Sequence, residues 1–391
     1  MIRSIRYRKK RKLKKNVQLP QNPSIIPGEL PEELIFSEIL PRLPVNSLNC
    51  FKSVSKTWNF ILSSPNFIKS HLNCTNSNPF VPTKSVFIKS AYDFYILNYS
   101  AYDRLTDDNY GQKGLIKTKI LHFSDNCVNT FLIGSCNGLI CFGRGTAFSK
   151  FGYNFRFYNP VTGRVLCVSD PLGNYQGRLI CGFGFVSSKD DYMLFVGGLQ
   201  RRTSENFVYV YSLKSNDWRK IGEFGEDEFS IFLGGRGVLV NETLHWDKTQ
   251  VRRSNAKSIC GFNLVDESFK EVMMPRVFWG NDDHLLDFKV TEMGGCLCAW
   301  AQDVYGGAEM WMLMQYGVWE SWTKLFKIDL IPGLDNFYGC LENGKVLVHT
   351  NNGSLLLGHP DQGPRQLISL VKDLGDIEVV SYIQSPVSPF L

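Results

Sequence analysis

The sequence predicts a mainly β protein in which a small helical module precedes a β-propeller of about six degenerate blades. A twisted β-sandwich is the alternative fold. Three observations predict this combination of a helical module and a propeller. Apolar residues recur at helical spacing in residues 30–72, and strand-like segments repeat about every 50 residues from residue 73 onward. The chain also has 34 glycines and 13% aromatic residues, which favours strands joined by many turns.

Residues 1–29 form a basic segment that we expect to be a disordered tail. The run MIRSIRYRKKRKLKKN carries nine lysines and arginines and no acid, so the rest of the chain has a net charge of −3 although the whole carries +6. Such a body is not expected to bind nucleic acid. The run fits a nuclear-import signal, an arm that contacts acidic partners, or a solvated tail. A transit peptide fits less well, because lysine dominates and serine is scarce.

Residues 30–72 have the apolar spacing of short helices. The first predicted helix has one apolar face, formed by Phe36, Ile39, Leu40 and Leu43. Pro31 suits its first turn, and Pro41 ends or kinks it. The second predicted helix is closed by Pro65, and its apolar face is formed by Phe51, Val54, Trp58 and Ile61. Helices this short bury too little surface to be stable alone, so the module is either a cap on the following domain or a docking module.

The same stretch, LPEELIFSEILPRLPVNSLNCFKSVSKTWNFILSSPNFIKSHL, resembles an F-box of the form common in plant F-box proteins. The matching features are Leu30-Pro31, Ile39-Leu40, Leu43-Pro44-Val45, Ser47-Leu48, Phe51, Val54-Ser55-Lys56, Trp58 and Ser64-Pro65. The departures, Glu32, Asn49 and Ser53, are mild. The resemblance implies docking on the Skp-type adaptor of a cullin ubiquitin ligase, with some residues holding the core of the F-box instead. The residues assigned to adaptor binding are Leu30, Pro31, Leu34, Ile39, Leu43, Pro44, Leu48, Phe51, Val54 and Trp58.

Two interleaved series of segments define the repeat in residues 73–391. In the first series, a bulky residue in a strand is followed seven positions later by another. The first members are Tyr158, Tyr211, Phe262 and Met312, spaced 53, 51 and 50 apart, and the second members are Val165, Trp218, Phe269 and Trp319. In the second series a turn leads into a strand, at Gly138, Asp190, Glu242, Gly294 and Gly344. A period of about 50 residues with several strands per repeat matches kelch-type propeller blades.

The propeller region also resembles the F-box-associated domain of plant F-box proteins. The motifs that carry this resemblance are GSCNGLICF at 134–142, YNPVTGR at 158–164 and SYIQSPVSP at 381–389. The double glycine of kelch repeats is only partly present, at Gly197-Gly198 and Gly306-Gly307. Members of this group include regulators of plant immunity and pollen S-locus proteins. The resemblance therefore implies that the propeller recognises a target protein.

We interpret no sequence pattern as a catalytic or metal site, and we expect no cofactor. The six histidines show no H-x-x-x-H spacing, and the eleven cysteines show no paired C-x-x-C spacing. We expect these thiols to be reduced. The acid–histidine cluster NDDHLLDF, with Asp282, Asp283 and His284, is interpreted as a solvated loop. The glycine-rich CGFGF and GGRG lack the context of a nucleotide-binding loop.

We therefore predict a non-catalytic substrate-recognition subunit of a Skp–cullin–F-box ubiquitin ligase, in the nucleus, the cytoplasm or both. Its predicted partners are the Skp-type adaptor, through it a cullin and a RING protein, and an unidentified target protein; no membrane contact is expected. Two charged loops supply the predicted target contacts, Arg201, Arg202, Arg252 and Arg253. Two alternatives stay open: an adaptor-binding scaffold without ubiquitin transfer, and a ligand-binding propeller enzyme.

Overall fold

The computed structural model describes most of the chain that follows the basic segment. The described residues are 30–77, 84–91, 93–98, 115–118, 129–145, 153–171, 179–200, 205–222, 235–249, 257–274, 285–303, 305, 307–328, 333–340, 345–359, 368–371 and 374–390. The predicted tail, residues 1–29, lies outside them. Within the described part, helices occupy the first stretch and β-strands dominate the others.

The helical module begins with an irregular helical stretch instead of the regular first helix that we predicted. Its segments are α1 (Glu32–Leu34), a π-helical turn (Ile35–Ile39), a 3-10 turn (Leu40–Arg42), α2 (Val45–Phe51), α3 (Lys56–Leu62) and α4 (Pro65–Ser77). The π-helical turn changes the angle between successive side chains. Ile39 is therefore exposed although it shares the predicted apolar face with Leu40, which is buried.

The second predicted helix is divided in two. α2 ends at Phe51, and the Ser55 hydroxyl caps α3 by accepting a hydrogen bond from the Trp58 N–H at 3.1 Å. Val54 therefore lies in the turn between the two helices. Pro65 begins α4 instead of ending a helix, and proline suits this position because its missing N–H would have no intrahelical partner there. α4 continues to Ser77, past residue 72, where we predicted the end of the module.

Six sheets follow as the blades of a β-propeller, which confirms the predicted fold. Blade 1 contains β1 (Lys84–Lys89), β2 (Phe94–Asn98), β3 (Leu115–Thr118) and β25 (Glu378–Ile383). Blade 2 contains β4 (Thr130–Cys136), β5 (Leu139–Arg144), β6 (Asn154–Tyr158) and β7 (Val165–Ser169). Blade 3 contains β8 (Leu179–Val186), β9 (Asp191–Gln200), β10 (Glu205–Ser212) and β11 (Asp217–Gly222).

The second half of the propeller has the same construction. The short strand β12 (Gly235–Arg236) pairs parallel to β8 and leads after one residue into blade 4, which contains β13 (Val238–Val240), β14 (Thr243–Thr249), β15 (Lys257–Asn263) and β16 (Ser268–Val272). Blade 5 contains β17 (Leu285–Met293), β18 (Cys296–Asp303), β19 (Ala308–Leu313) and β20 (Trp322–Ile328). Blade 6 contains β21 (Leu334–Cys340), β22 (Val346–Thr350), β23 (Leu355–Gly358) and β24 (Ile368–Val371).

The six blades close into a ring around a central channel. Their innermost strands are β25, β4, β8, β13, β17 and β21, and each contacts the next in that order. Blade 1 combines strands from both ends of the propeller, because β25 pairs antiparallel with β1 and places Phe87 opposite Val380. This pairing leaves neither end of the propeller with an unpaired inner strand.

The first repeat series marks the hairpin of the third and fourth strands in a blade. In blades 2, 3 and 4 its two members are cross-strand partners: Tyr158 with Val165, Tyr211 with Trp218, and Phe262 with Phe269. Blade 5 departs from the pattern, because a longer connection with a 3-10 turn (Trp319–Ser321) joins β19 to β20. Met312 consequently pairs with Thr323 instead of Trp319.

The second repeat series marks the turn between the first and second strands of a blade. Gly138, Asp190, Glu242 and Gly294 all have positive φ, between 49° and 91°, as tight hairpin turns require; Gly344 lies outside the described residues. We call the side of the propeller on which these turns lie the near face. The opposite side, on which the second strand connects to the third, is the far face.

The three motifs that carry the F-box-associated resemblance meet on the near face of blade 2. The Asn159 side chain donates from Nδ2 to the carbonyl oxygens of Ser385, at 2.9 Å, and of Val387, at 2.6 Å. The Ser385 hydroxyl donates to the carbonyl of Asn137 at 2.6 Å. Residues 384–390, which we call the strap, are thereby fastened to the turns of blade 2 directly after the strand that closes the ring.

Candidate functional site

The helical module has a small core of its own. Four side chains are fully enclosed in it: Leu40, Leu48, Leu62 and Phe67. Trp58 covers one side, with its ring centroid 5.1 Å from that of Phe36 and 5.9 Å from that of Phe51 in edge-to-face geometry. His71 in α4 is also buried, and burial lowers its pKa. Its ring contacts the carbonyl of Leu43 through Nε2 at 3.1 Å.

The ten residues predicted to bind an adaptor separate into three groups. Six are exposed: Leu30, Pro31, Leu34, Ile39, Pro44 and Val54. Leu43, Phe51 and Trp58 are half-buried and pack against the core. Leu48 is only 1% exposed, because it follows the buried Val45 by three residues on the inner face of α2. Leu48 is therefore a core residue, which corrects its assignment as a surface contact.

Phe60 is a large exposed side chain that the helical periodicity missed. It lies in α3 and is 79% exposed. Phe60 lies outside the helix face shared by Trp58 and Ile61. A large aromatic residue outside the apolar face of a predicted helix is the sequence signal that could have identified it as an exposed contact residue. With it, the module exposes five large apolar side chains: Leu30, Leu34, Ile39, Val54 and Phe60.

Helix α4 joins the module to the near face of the propeller. The Lys69 ammonium lies 3.1 Å from the carboxylate of Asp190, in the turn between β8 and β9, and Ile68 and Leu72 pack against the core between blades 2 and 3. A cavity of about 1000 Å³ lies between α4 and the near-face turns and extends into the central channel. The near face is thus partly covered by the chain itself.

Arg236 in β12 crosses the central channel. Its Nη1 donates to the carbonyl of Val379, in β25, at 2.5 Å, and its guanidinium lies 5.6 Å from the ring centroid of Tyr338 in β21. Arg236 and Tyr338 line both the near-face cavity and a second cavity of about 380 Å³. They therefore form the partition between the two halves of the channel, a role that no sequence pattern indicated.

The four arginines predicted to contact a target, Arg201, Arg202, Arg252 and Arg253, lie outside the described residues. The strands that flank them are described. The first pair follows Gln200 at the end of β9 and precedes β10, and the second pair follows Thr249 at the end of β14 and precedes β15. Both connections join a second strand to a third, so both strand ends lie on the far face, away from α4.

The described residues offer no group of three His, Cys, Asp or Glu side chains placed to hold a metal ion. No helix among them is long and apolar enough to cross a membrane. His349 contacts Asp335, with Nδ1 3.1 Å from Oδ2, and Lys289 lies 3.2 Å from Oδ1. The hydrogen bond from His349, followed by the charge of Lys289, lowers the pKa of Asp335 to about 2. This cluster ties β21 to β22 and β17, and the predicted loop with His284 lies outside the described residues.

Comparison with known proteins identifies the family of the chain that carries these surfaces. Residues 86–386 match the family described as the F-box associated beta propeller domain. The chain belongs to this family. Among its relatives in Arabidopsis thaliana, F-box protein At3g07870 is 27% identical over 365 residues, covering 84% of this chain and 82% of that protein. F-box protein CPR1 is 26% identical over 354 residues, covering 82% of this chain and 80% of that protein.

A third relative, F-box/kelch-repeat protein At3g23880 of Arabidopsis thaliana, is 26% identical and covers 80% of this chain and 82% of that protein. These matches confirm the resemblance to plant F-box proteins with an F-box-associated propeller. Among solved structures, a putative 6-phosphogluconolactonase from Bacteroides uniformis gives a TM-score of 0.41 at 10% identity, covering 76% of this chain and 100% of that one. At this similarity its activity is not carried over. Family membership indicates a non-catalytic substrate-recognition role.

Proposed function

We propose that this F-box-associated propeller protein is the substrate-recognition subunit of a Skp–cullin–F-box ubiquitin ligase. The helical module docks on the Skp-type adaptor, and the propeller binds the target protein. No residue of this chain takes part in the chemistry. The complex accelerates transfer because it raises the effective concentration of target lysines near a ubiquitin-charged conjugating enzyme.

The observation that carries the proposal is the exposed apolar surface of the helical module. Residues Leu30, Leu34, Ile39, Val54 and Phe60 are between 40% and 79% exposed. Large apolar side chains concentrated on a small module mark a protein interface, and a few such residues supply most of the free energy of binding. Helix α4 holds the module to the propeller. The proposed adaptor-binding surface and the target-binding propeller are therefore different parts of the same chain.

The target is proposed to bind the far face of the propeller. The near face is partly covered by α4 and by the strap. The far face carries the four strand ends that flank the two charged loops, Gln200 and Glu205 around one, and Thr249 and Lys257 around the other. Arg201, Arg202, Arg252 and Arg253 in these loops remain the predicted contacts. A carboxylate- or phosphate-bearing target surface suits them, because arginine binds both groups through paired hydrogen bonds.

The adaptor interaction is tested by capture of a Skp-type adaptor on the intact chain. The test variant is Leu34→Ala with Val54→Ala, since both side chains are exposed and neither belongs to the module core. We expect each truncation to weaken binding about tenfold or more. Leu325→Ala, in β20 of the propeller and 39% exposed, is the matched control and keeps full binding. Unchanged binding of the folded double variant would remove the proposed docking surface.

Ubiquitin transfer separates the ligase subunit from an adaptor-binding scaffold. The intact chain is combined with the Skp-type adaptor, a cullin, a RING protein and a charged conjugating enzyme. Transfer of ubiquitin to lysines of this chain, lost in the Leu34→Ala and Val54→Ala double variant, supports the ligase subunit. Adaptor binding without any transfer would instead support the scaffold.

A further inference from the structure

The guanidinium of Arg236 in the central channel has donors that no described residue accepts. Arg236 is half-buried in β12. Its Nη1 donates to the carbonyl of Val379 at 2.5 Å, and its guanidinium lies 5.6 Å from the ring centroid of Tyr338. Nε and Nη2 have no acceptor among the described residues, and neither nitrogen is enclosed. These two nitrogens share one edge of the guanidinium, and their N–H bonds form the parallel pair that a carboxylate or a phosphate accepts.

The charge of Arg236 is not neutralised by any described carboxylate, since none forms a salt bridge with it. Two carboxylates, those of Asp335 and Glu378, line the far-face half of the channel together with Arg236. Glu378 already accepts from Lys89 Nζ and from the N–H of Leu132, at 2.7 Å each. Asp335 is held by the histidine and the lysine described above. Burial of a charge is costly unless an opposite charge compensates it, so an anion from outside the chain would stabilise this arginine.

Three hydroxyl groups line the near-face cavity along with Arg236. They belong to Ser135 in β4, Thr291 in β17 and Ser381 in β25. Each hydroxyl donates its proton to a backbone carbonyl of β25 or β21. Its oxygen keeps a lone pair that accepts a further hydrogen bond. The walls of the cavity therefore suit a ligand that carries hydroxyl groups.

The near-face cavity has the size and the charge of a site for a small anion. Its volume of about 1000 Å³ is at the upper end of the range of about 300–1,000 Å³ that small-molecule sites occupy. Among the described residues, four lysines and arginines line it against three carboxylates. Asp190 pairs with Lys69, while Glu242 and Glu292 accept from backbone N–H groups of the near-face turns, at 2.6 Å and 2.5 Å. Because these carboxylates are engaged, the charge that remains available to a ligand is positive.

We propose that the central channel binds a small organic oxyanion, a carboxylate or a phosphate monoester that also carries hydroxyl groups, and that Arg236 is its anchor. The oxyanion accepts paired hydrogen bonds from Nε and Nη2, which is the geometry in which arginine binds carboxylates and phosphates. The carbonyl of Val379 and the ring of Tyr338 hold the guanidinium in place beforehand, and a preorganised group loses less conformational freedom on binding. The site lies apart from the exposed apolar surface of the helical module, so its occupation does not require the adaptor.

The site is tested by isothermal titration calorimetry of the intact chain at constant ionic strength. The probes are glycerol 3-phosphate, which carries a phosphate, and malate, which carries carboxylates; glycerol is the control without an oxyanion. We expect saturable binding of at least one of the two anions and no binding of glycerol. The anion that binds more tightly identifies the preferred oxyanion. If neither anion shows saturable binding, the channel is not the proposed site.

The anchor is tested by repeating the titration with Arg236→Gln. We expect the substitution to weaken binding of the anion at least about tenfold, because two charge-assisted hydrogen bonds are lost. Arg42→Gln, which changes an exposed arginine of the helical module, is the matched control and keeps the affinity of the native chain. An unchanged affinity in folded Arg236→Gln would remove Arg236 from the site.

A second measurement uses the unsubstituted chain, because Arg236→Gln also loses the hydrogen bond to Val379. Phenylglyoxal modifies accessible guanidinium groups, and mass spectrometry maps the modified arginines. With the anion at about ten times its dissociation constant, about a tenth of the sites stay free, so modification of Arg236 is expected to slow about tenfold. The rate at Arg42 is expected to stay the same. Equal rates at Arg236 with and without the anion would contradict its role as the anchor.

Discussion

The helical module and the propeller differ in how completely they cover their apolar side chains. Of the twelve large apolar side chains that are exposed among the described residues, five belong to residues 30–77, six to residues 265–325 in blades 4 and 5, and one to the strap. The module encloses four side chains in a single cluster. The propeller instead encloses apolar residues between successive blades, in clusters such as the one formed by Phe157, Phe183 and Tyr211.

This difference follows from the geometry of the two parts. A blade of a propeller is a sheet with a neighbour on each side, so both faces of the sheet are covered by the fold itself. Short helices around one small cluster have outer faces that the described part of the chain leaves uncovered. The apolar residues that remain exposed on the module are therefore available to a partner. The stability of the module depends on one cluster, while that of the propeller depends on closure of the ring.

The largest expected effect is that of removing a core side chain from the module. Leu48→Ala deletes most of one of its four enclosed side chains, and Leu→Ala changes in cores cost about 2–5 kcal/mol of unfolding free energy. We expect the module to unfold while the propeller stays folded. Hydrogen exchange with mass spectrometry measures this as lost protection in residues 30–77 and unchanged protection in the strands of blades 2 to 5.

The matched control for this change is Leu30→Ala. Leu30 is 60% exposed, and exposed substitutions change the unfolding free energy by no more than about 0.5 kcal/mol. If Leu48→Ala also removed protection from the propeller strands, the two parts would unfold as one cooperative unit. The comparison between an independent module and an independent ring would then fail.

The second expected effect concerns pH and the propeller. His245 in β14 is enclosed, with Nδ1 3.2 Å from the carbonyl of Val238 and Nε2 2.9 Å from the hydroxyl of Tyr316. Burial lowers the pKa of His245 to about 4. Between pH 6.5, the ordinary histidine pKa, and that value, the unfolded chain binds a proton that the folded chain does not. Stability is therefore complete above pH 6.5, and about 2–3 kcal/mol is lost on lowering the pH to about 4.5.

The measurement is urea unfolding of the intact chain at pH 7 and pH 4.5, compared with His245→Gln. The variant has no imidazole to protonate, so its stability is expected to depend much less on pH in this interval. The interval ends above the range in which Asp335 titrates, because its pKa is about 2 in the folded chain and about 3.9 when unfolded. An equal pH dependence in both proteins would show that His245 is not responsible.

The sequence was sufficient for the number of blades and the mainly β fold, and insufficient for the division of the helical module and the direction of single side chains. The positions of Gly138, Asp190, Glu242 and Gly294 mark the same turn in four blades, because repetition makes local geometry visible in one chain. Leu48 was assigned to adaptor binding through the F-box resemblance, and one sequence does not separate residues that form the core of an F-box from residues that contact its partner. Arg236 was missed because its partner, Val379, is 143 residues away in the chain.

The smallest of these effects tests ring closure by comparing two glycines at equivalent turns. Gly138 and Gly295 each hold the second position of a two-residue turn, between Cys136 and Leu139 and between Met293 and Cys296. Their φ angles are 91° and 82°, so alanine is strained at both. At Gly138 an added Cβ would also overlap the Ser385 hydroxyl and come within 2.9 Å of the Ile383 carbonyl, whereas at Gly295 it meets nothing within 4 Å. We expect both substitutions to cost conformational free energy, and Gly138→Ala to cost about 1–2 kcal/mol more because of the overlap.

The difference between the two variants isolates the strap, because the turn and the substitution are the same. Thermal unfolding gives the two costs, and hydrogen exchange locates them. Gly138→Ala is expected to reduce protection in β25 and β1, the pair that closes the ring, while Gly295→Ala reduces protection only in blade 5. Equal costs with unchanged exchange in β25 and β1 would mean that the ring stays closed without the strap, and the propeller would then resemble the module in depending on local packing alone.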